Sequence, residues 1–124
     1  MAKRVLIVDD EPRYLRLLEA NLRTGGYEVT TAQDGVQALE VFSAQPIDLV
    51  LLDVMMPRLD GYQTCALIKN NSEFKQTPVI MLSSKDGLFD KAKGRIVGSD
   101  EYLTKPFSRN ELLGAIQQHV KAGK

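Results

Sequence analysis

The sequence predicts an α/β fold, a flavodoxin-like, doubly wound parallel sheet of five strands with five helices. Three observations predict it. Apolar runs and amphipathic stretches alternate from end to end, the pattern of successive βα units. Two runs, Val5-Leu6-Ile7-Val8 and Leu49-Val50-Leu51-Leu52, are apolar without interruption, as suits strands covered on both faces. Connections are short, and neither a repeat nor a low-complexity segment appears, so one domain over residues 1–124 is expected.

The elements follow in order. A first strand over 4–8 ends at Asp9-Asp10. Pro12 suits the first helical turn, where its missing N–H costs nothing. Leu15, Leu18 and Leu22 recur at helical spacing, and Gly25-Gly26 stop that helix. A second strand covers 27–32. Asp34 caps a helix carrying Val36, Leu39, Val41 and Phe42, which Pro46 ends. The third strand closes at Asp53, and Asp60-Gly61 open a helix running to about residue 69. A fourth strand over 78–82 ends at Ser83-Ser84, and the helix over 86–97 is capped by Gly98. A short strand over 101–104 ends at Lys105-Pro106, where a cis bond is an option that only an X-Pro pair has cheaply. Ser108 caps a last helix with Leu112, Leu113, Ile116 and Val120 inward. Of the two common doubly wound strand orders, five strands favour the flavodoxin-like one over the Rossmann one.

Composition narrows the function. Lys plus Arg and Asp plus Glu each number 16, so the formal net charge is zero. A neutral chain has no broad attraction for nucleic acid or anionic membrane. Neither direct nucleic-acid binding nor membrane insertion is expected, and partners are recognised by shape and local patches. No apolar run approaches about 18 residues and no secretory pattern opens the chain, so the expected compartment is the cytoplasm. Cys65 is the single cysteine, which rules out an intramolecular disulfide and reads as a small buried hydrophobe. His119, in the last turn of the last helix, suits the helix dipole and no catalytic role.

In doubly wound sheets, ligands bind outside the carboxyl ends of the strands. The residues expected there are Asp9, Asp10 and Glu11 after the first strand, Asp53 after the third, Ser83 and Ser84 after the fourth, and Lys105 after the fifth. Clustered carboxylates repel one another and resist ionising together. A divalent cation removes the conflict, and Mg²⁺ suits a site of one or two carboxylates, waters and a phosphate oxygen. Asp10 and Asp53 are its expected direct ligands, Asp9 acts through a metal-bound water, and a main-chain carbonyl just past Asp53 adds a further oxygen. Asp53 can then attack a phosphoryl group to give an acyl phosphate. Mg²⁺ and Lys105 neutralise the phosphoryl oxygens, and Ser83 donates a hydrogen bond to one of them. Each of these residues has a plainer use: Asp9-Asp10 as a helix N-terminal acid pair, Ser83 as a turn residue, Lys105 as a surface lysine. Their convergence on one sheet edge favours the chemical reading.

The stretches Val5-Leu6-Ile7-Val8-Asp9-Asp10-Glu11, Leu51-Leu52-Asp53-Val54-Met55-Met56-Pro57, Asp60-Gly61, Pro78-Val79-Ile80-Met81-Leu82-Ser83 and Tyr102-Leu103-Thr104-Lys105-Pro106-Phe107 occur in this order. Together they resemble the receiver domains of two-component response regulators, over essentially the whole chain. Residues 55–65 and 83–107 are similar to the stand-alone receivers of chemotaxis-type systems, those of type IV pilus twitching motility in particular. The resemblance implies strand order 2-1-3-4-5 and Asp53 as phosphoacceptor. It implies Mg²⁺, with Mn²⁺ as a substitute, held by Asp9, Asp10, Asp53 and the Met55 carbonyl. It further implies signalling through Ser83, phosphate contact by Lys105, and Tyr102 as a rotamer switch that turns inward when Ser83 moves. The implied partners are a histidine kinase or phosphotransfer domain, and a separate output protein. That protein binds a face made by the fourth helix, fifth strand and fifth helix, decorated by Lys91, Asp100, Glu101 and Glu111. Receivers that dimerise through this face carry a basic residue in the last helix. The stretch corresponding to that position here, Gly114-Ala115-Ile116, has none, so the chain is expected to be mostly monomeric.

Three rivals are weaker. An aspartyl phosphatase resembles a pattern with a second Asp two residues after the nucleophile, and Met55 cannot donate a proton there. A flavodoxin-like FMN carrier needs a hydroxyl- and glycine-rich loop where Asp9-Asp10-Glu11-Pro12 stands. A phosphorylation-independent interaction module typically has an eroded acid pocket. Met55 and Lys85 border the path of a hydrolytic water and offer no general base near pH 7. The chain therefore reads as a signalling switch with slow self-dephosphorylation and not as a turnover enzyme.

Overall fold

A computed structural model describes residues 3–56, 60–84 and 87–122, without the side chains of residues 88, 89, 121 and 122. Its elements are β1 (Arg4–Val8), α1 (Pro12–Thr24), β2 (Glu28–Ala32), α2 (Gly35–Ala44), β3 (Leu49–Asp53), α3 (Gly61–Lys69), β4 (Val79–Ser83), α4 (Leu88–Ile96), β5 (Glu101–Thr104) and α5 (Arg109–Ala122). All strand pairs are parallel, in the order β2-β1-β3-β4-β5. The fold expected from the sequence is therefore the fold observed. Strand starts differ by one residue: β2 begins at Glu28, not Tyr27, and β4 at Val79, not Pro78. α4 begins at Leu88; of the residues expected to open it, Asp86 lies outside those described, as does Lys85.

Successive side chains of a strand point to opposite faces, and here that alternation builds two cores. Val5 and Ile7, Leu49 and Leu51, Ile80 and Leu82 pack with Leu15, Leu18 and Leu22 of α1 and Leu112, Ala115 and Ile116 of α5. Leu6 and Val8, Val50 and Leu52, Val79 and Met81 pack with Ala38 and Phe42 of α2 and Tyr62, Cys65 and Ile68 of α3. Of the residues expected to carry α2, Phe42 is buried and Leu39 and Val41 are half-buried against the core, whereas Val36 is exposed and Ala38 is buried in its stead. Val36 follows Gly35, which is itself buried at the helix start, so the inward stripe runs through 35, 38 and 42 at steps of three and four. In α5, Leu113 and Val120 are half-buried against the core that Leu112 and Ile116 enter fully.

Side chains fix the helix starts. Asp34 accepts from the Gln37 amide at 2.8 Å. Asp60 and Gln63 form a reciprocal capping box, as do Ser108 and Glu111. The α4 C-terminus hands over at Gly98, whose φ of +95° favours glycine. Cys65 is fully buried, and burial pushes its thiol up to about 11, so it is inert at neutral pH. Among the described residues no helix is long and apolar enough to cross a membrane.

Candidate functional site

The site lies at the carboxyl ends of β1, β3 and β5, and strand alternation decides which side chains meet there. Asp9 continues the parity of Val5 and Ile7, Asp53 that of Leu49 and Leu51, and Lys105 that of Leu103. The ladders persist past the strand ends, through Asp9 N–H to the Ala32 carbonyl (3.1 Å) and Lys105 N–H to the Ser83 carbonyl (2.7 Å). Asp9, Asp53 and Lys105 therefore share the α1/α5 side. Ser83 follows Met81, and Tyr102 packs with the other core, so these two take the α2–α4 side.

Lys105 Nζ donates to Asp53 Oδ1 at 3.0 Å and lies 3.7 Å from Asp9 Oδ2. The Lys105-Pro106 peptide is cis. Asp9 and Asp53 are buried, at 2% and 5% exposure, while Asp10 is exposed. Burial pushes the Asp53 carboxyl up to about 6; the Lys105 hydrogen bond opposes this, and the charges of Asp9 and Asp10 add to it. Burial raises Asp9 as well, against a hydrogen bond from the Glu11 amide.

One carboxylate oxygen from each of Asp9, Asp10 and Asp53 can be chosen so that all lie within 4.8 Å of one another. The Glu11 N–H occupies Asp9 Oδ1 at 3.0 Å, whereas the buried Asp9 Oδ2 has no hydrogen-bond partner among the described residues. A buried carboxylate oxygen that accepts no hydrogen bond, in a group of three acids with only the Lys105 ammonium 3.7 Å away, is what a hard cation would satisfy. The donor set fits such an ion.

The remaining expected residues are placed as follows. Ser83 is buried at the end of β4, in register with Thr104. Tyr102 is half-buried, its hydroxyl 3.4 Å from that of Tyr62, which donates to the Asp90 carbonyl at 3.1 Å. Met55 is 56% exposed at the rim, and Lys85 lies outside the described residues. On the α4–β5–α5 face, three of the expected charges are already engaged, Glu111 in the cap of α5 and two across the fold. Asp100 pairs with Lys69 at 2.8 Å and accepts from the Val79 amide. Glu101 meets His119 Nε2 at 2.6 Å, so His119 serves a side-chain contact across to β5 and not only the helix dipole.

Two aromatic residues carry no signal of a role in the sequence alone. Tyr62 is one. The other is Tyr14 of α1, whose ring centroid lies 4.2 Å from Lys105 Nζ. Its ring also meets Phe107 edge-on, at 6.4 Å and 63°. Burial and the charges of Asp9 and Asp53 push the Tyr14 hydroxyl up to about 12, so the ring stays neutral. The one hint in the sequence is its place in the first turn of α1, four residues after Asp10.

Known proteins are similar to this chain in sequence and fold. Protein PilG of Pseudomonas aeruginosa is 63% identical over 117 residues, covering 94% of this chain and 87% of that protein. A chemotaxis protein of Vibrio cholerae superposes with a TM-score of 0.91 at 33% identity, covering 95% of this chain and 98% of that one. The receiver domain of a Pseudomonas aeruginosa sensor histidine kinase, solved with a magnesium ion coordinated in its active-site cleft, superposes with a TM-score of 0.90 at 33% identity, covering 98% and 99%. The response regulator receiver domain family matches residues 5–117, and the chain belongs to that family of signalling domains.

Proposed function

We propose that the chain is a Mg²⁺-dependent phosphoryl switch that accepts its phosphoryl group on Asp53. The observation that carries this reading is the contact of Lys105 with Asp53 beside the Asp9 oxygen that accepts no hydrogen bond. The donor is a phosphohistidine of a histidine kinase or phosphotransfer domain. An Asp53 carboxylate oxygen attacks phosphorus, the P–N bond breaks, and its electron pair stays on the imidazole nitrogen. Lys105 donates to the incoming phosphoryl oxygens, and the Ser83 hydroxyl donates to another of them. Asp10, Asp53 and the Met55 carbonyl would hold Mg²⁺, or Mn²⁺ as a substitute, and Asp9 would act on it through a water. When bound, the cation neutralises charge on the carboxylates and the phosphoryl group. The magnesium ion in the similar sensor-kinase receiver supports this assignment.

Output follows from the other side of the sheet. Ser83 and Tyr102 share the α2–α4 side, so a Ser83 drawn toward the phosphoryl group frees space for Tyr102. That rearrangement reshapes the α4–β5–α5 face for a separate output protein. The chain acts as a cytoplasmic, mostly monomeric receiver in a relay of chemotaxis or twitching-motility type, the chemotaxis setting being favoured by its likeness to the Vibrio cholerae chemotaxis protein.

Incubation with phosphoramidate and Mg²⁺ should add one acid-stable, base-labile phosphate, and Asp53→Asn should abolish it. Mg²⁺-dependent labelling of another aspartate in the intact protein would sink the assignment. Lifetime is a separate matter. Met55 and Lys85 stand two residues past Asp53 and Ser83, and neither orients water as a base. Decay of phospho-Asp53 after donor removal should be slow, and Met55→Asn with Lys85→Glu should speed it several-fold. Equal decay in wild type and double mutant would remove the gating role from this pair while leaving Asp53 as acceptor.

A further inference from the structure

We infer that Tyr14 is a positioning residue for phosphoryl transfer: its ring face holds the Lys105 ammonium over the acceptor carboxylate. The inference rests on the reading of Asp53 as acceptor and goes beyond it. Lysine carries its charge on a flexible four-carbon stem, and fixing that stem costs side-chain entropy. Lys105 Nζ has carboxylate oxygens at 3.0 Å and 3.7 Å and the Tyr14 ring centroid at 4.2 Å. That ring distance lies within the range of a cation–π contact. The ring is braced in turn: it sits on the first turn of α1 and meets Phe107, two residues beyond Lys105, edge-on.

The two kinds of anchor differ during the reaction. As Asp53 forms its bond to phosphorus, its carboxylate gives up charge and its hold on Lys105 weakens. The Tyr14 ring takes no part in bond making, so its hold persists. The ammonium then stays where the phosphoryl oxygens arrive, and no reorganisation of Lys105 is needed at the moment of transfer. The effect therefore falls on the limiting rate of phosphorylation and not on donor affinity. A ring that merely filled space could be replaced by any apolar side chain of similar size.

The test combines kinetics with a spectroscopic signature, both on the full chain. With phosphoramidate and saturating Mg²⁺, Tyr14→Phe should keep the limiting rate within about two-fold, because the face of the ring and not the hydroxyl makes the contact. Tyr14→Leu should lower it about five- to ten-fold at nearly unchanged half-saturating donor concentration. Tyr14→Met serves in its place should the leucine variant not fold. In the metal-free protein, the Lys105 ε-methylene proton signals should be shifted upfield by the ring current in wild type and Tyr14→Phe, and return to ordinary values in Tyr14→Leu or Tyr14→Met. A folded Leu or Met variant with an undiminished limiting rate overturns the inference, as does a wild-type Lys105 signal with no ring-current shift. If wild type takes up no phosphate at Asp53, the functional reading fails, and the ring-current comparison alone decides where Tyr14 holds Lys105.

Discussion

Gly61→Ala should destabilise the chain by at least about 3 kcal/mol, the upper end of what overpacking costs. A Cβ at position 61 would lie 2.3 Å from the Asp53 carbonyl oxygen, 2.7 Å from the Val54 Cα and 3.0 Å from the Asp53 carbonyl carbon. All three obstacles are backbone, so no rotamer change relieves them. The Gly61 N–H also donates to the Val54 carbonyl at 2.9 Å, a bond that ties the start of α3 to the residue after Asp53. The substitution must either push α3 outward or bend the chain at the acceptor. Against a total stability of about 5–15 kcal/mol, that is a large share. Urea midpoints should fall steeply, and Mg²⁺ should stabilise whatever folds less than it does wild type. Gly114→Ala is the control: among the described residues no atom outside its own stretch of helix would lie within 4 Å of a Cβ there, and removing glycine from the interior of α5 should raise stability by up to about 1 kcal/mol. Equal urea midpoints for Gly61→Ala and wild type would show that the α3 start does not abut β3 as described.

Asp53→Asn should stabilise the metal-free protein above pH 6 by on the order of 2–3 kcal/mol. Burial pushes the Asp53 carboxyl from 3.8 up to about 6, and every tenfold change in proton affinity corresponds to about 1.4 kcal/mol. Between about pH 4 and 6 the folded chain keeps a proton here that the unfolded chain has released. Stability from this group is therefore full below the unfolded value and is lost as pH rises through the folded one. Asp9 is shifted in the same direction. An asparagine carries no charge to desolvate, so the slope over this window should flatten in the variant. The sign reverses with metal. Mg²⁺ needs the carboxylates deprotonated, so its stabilisation should grow as pH rises through about 6, reaching roughly 2.7 kcal/mol at 100 times its dissociation constant. Urea unfolding from pH 4.5 to 8, with EDTA or with Mg²⁺, separates the two effects. A wild type and an Asp53→Asn variant with the same metal-free pH slope would show that Asp53 is not strained by burial.

Most of the fold was legible because its signals are local. Uninterrupted apolar runs marked β1 and β3, and Pro12, Asp34, Asp60 and Ser108 marked helix starts at which the structure shows helices beginning. The sheet edge that gathers Asp9, Asp10, Asp53 and Lys105 was legible too, since a parallel sheet brings strand ends together whatever the loops do. Contacts set by helix rotation were not legible. Tyr14 reaches Lys105 because α1 and the segment after β5 cover the same side of the sheet, and nothing in the spacing from Asp10 to Tyr14 specifies that rotation. Asp100 and Glu101 read as free face charges, yet Lys69 and His119 claim them across 31 and 18 residues of chain. Val36 read as inward because it is apolar, while the smaller Ala38 lets α2 approach the sheet.

Among the described residues the two cores lie on opposite faces of the sheet, and this divides the molecule into compartments that can drift separately. Leu51 and Leu52 are bonded neighbours, yet one belongs with α1 and α5 and the other with α2 and α3. Tyr14 and Lys105 lie in the first compartment, and Tyr62 and Tyr102 in the second. A lineage, or an engineer, can retune how the acceptor is loaded by changing α1 and leave the packing under α4 untouched, and can do the converse with equal freedom. Asp53 stands at the end of the central strand, on the first side, and is bonded to Val54, which belongs to the second. Few substitutions there can serve one side without being felt by the other.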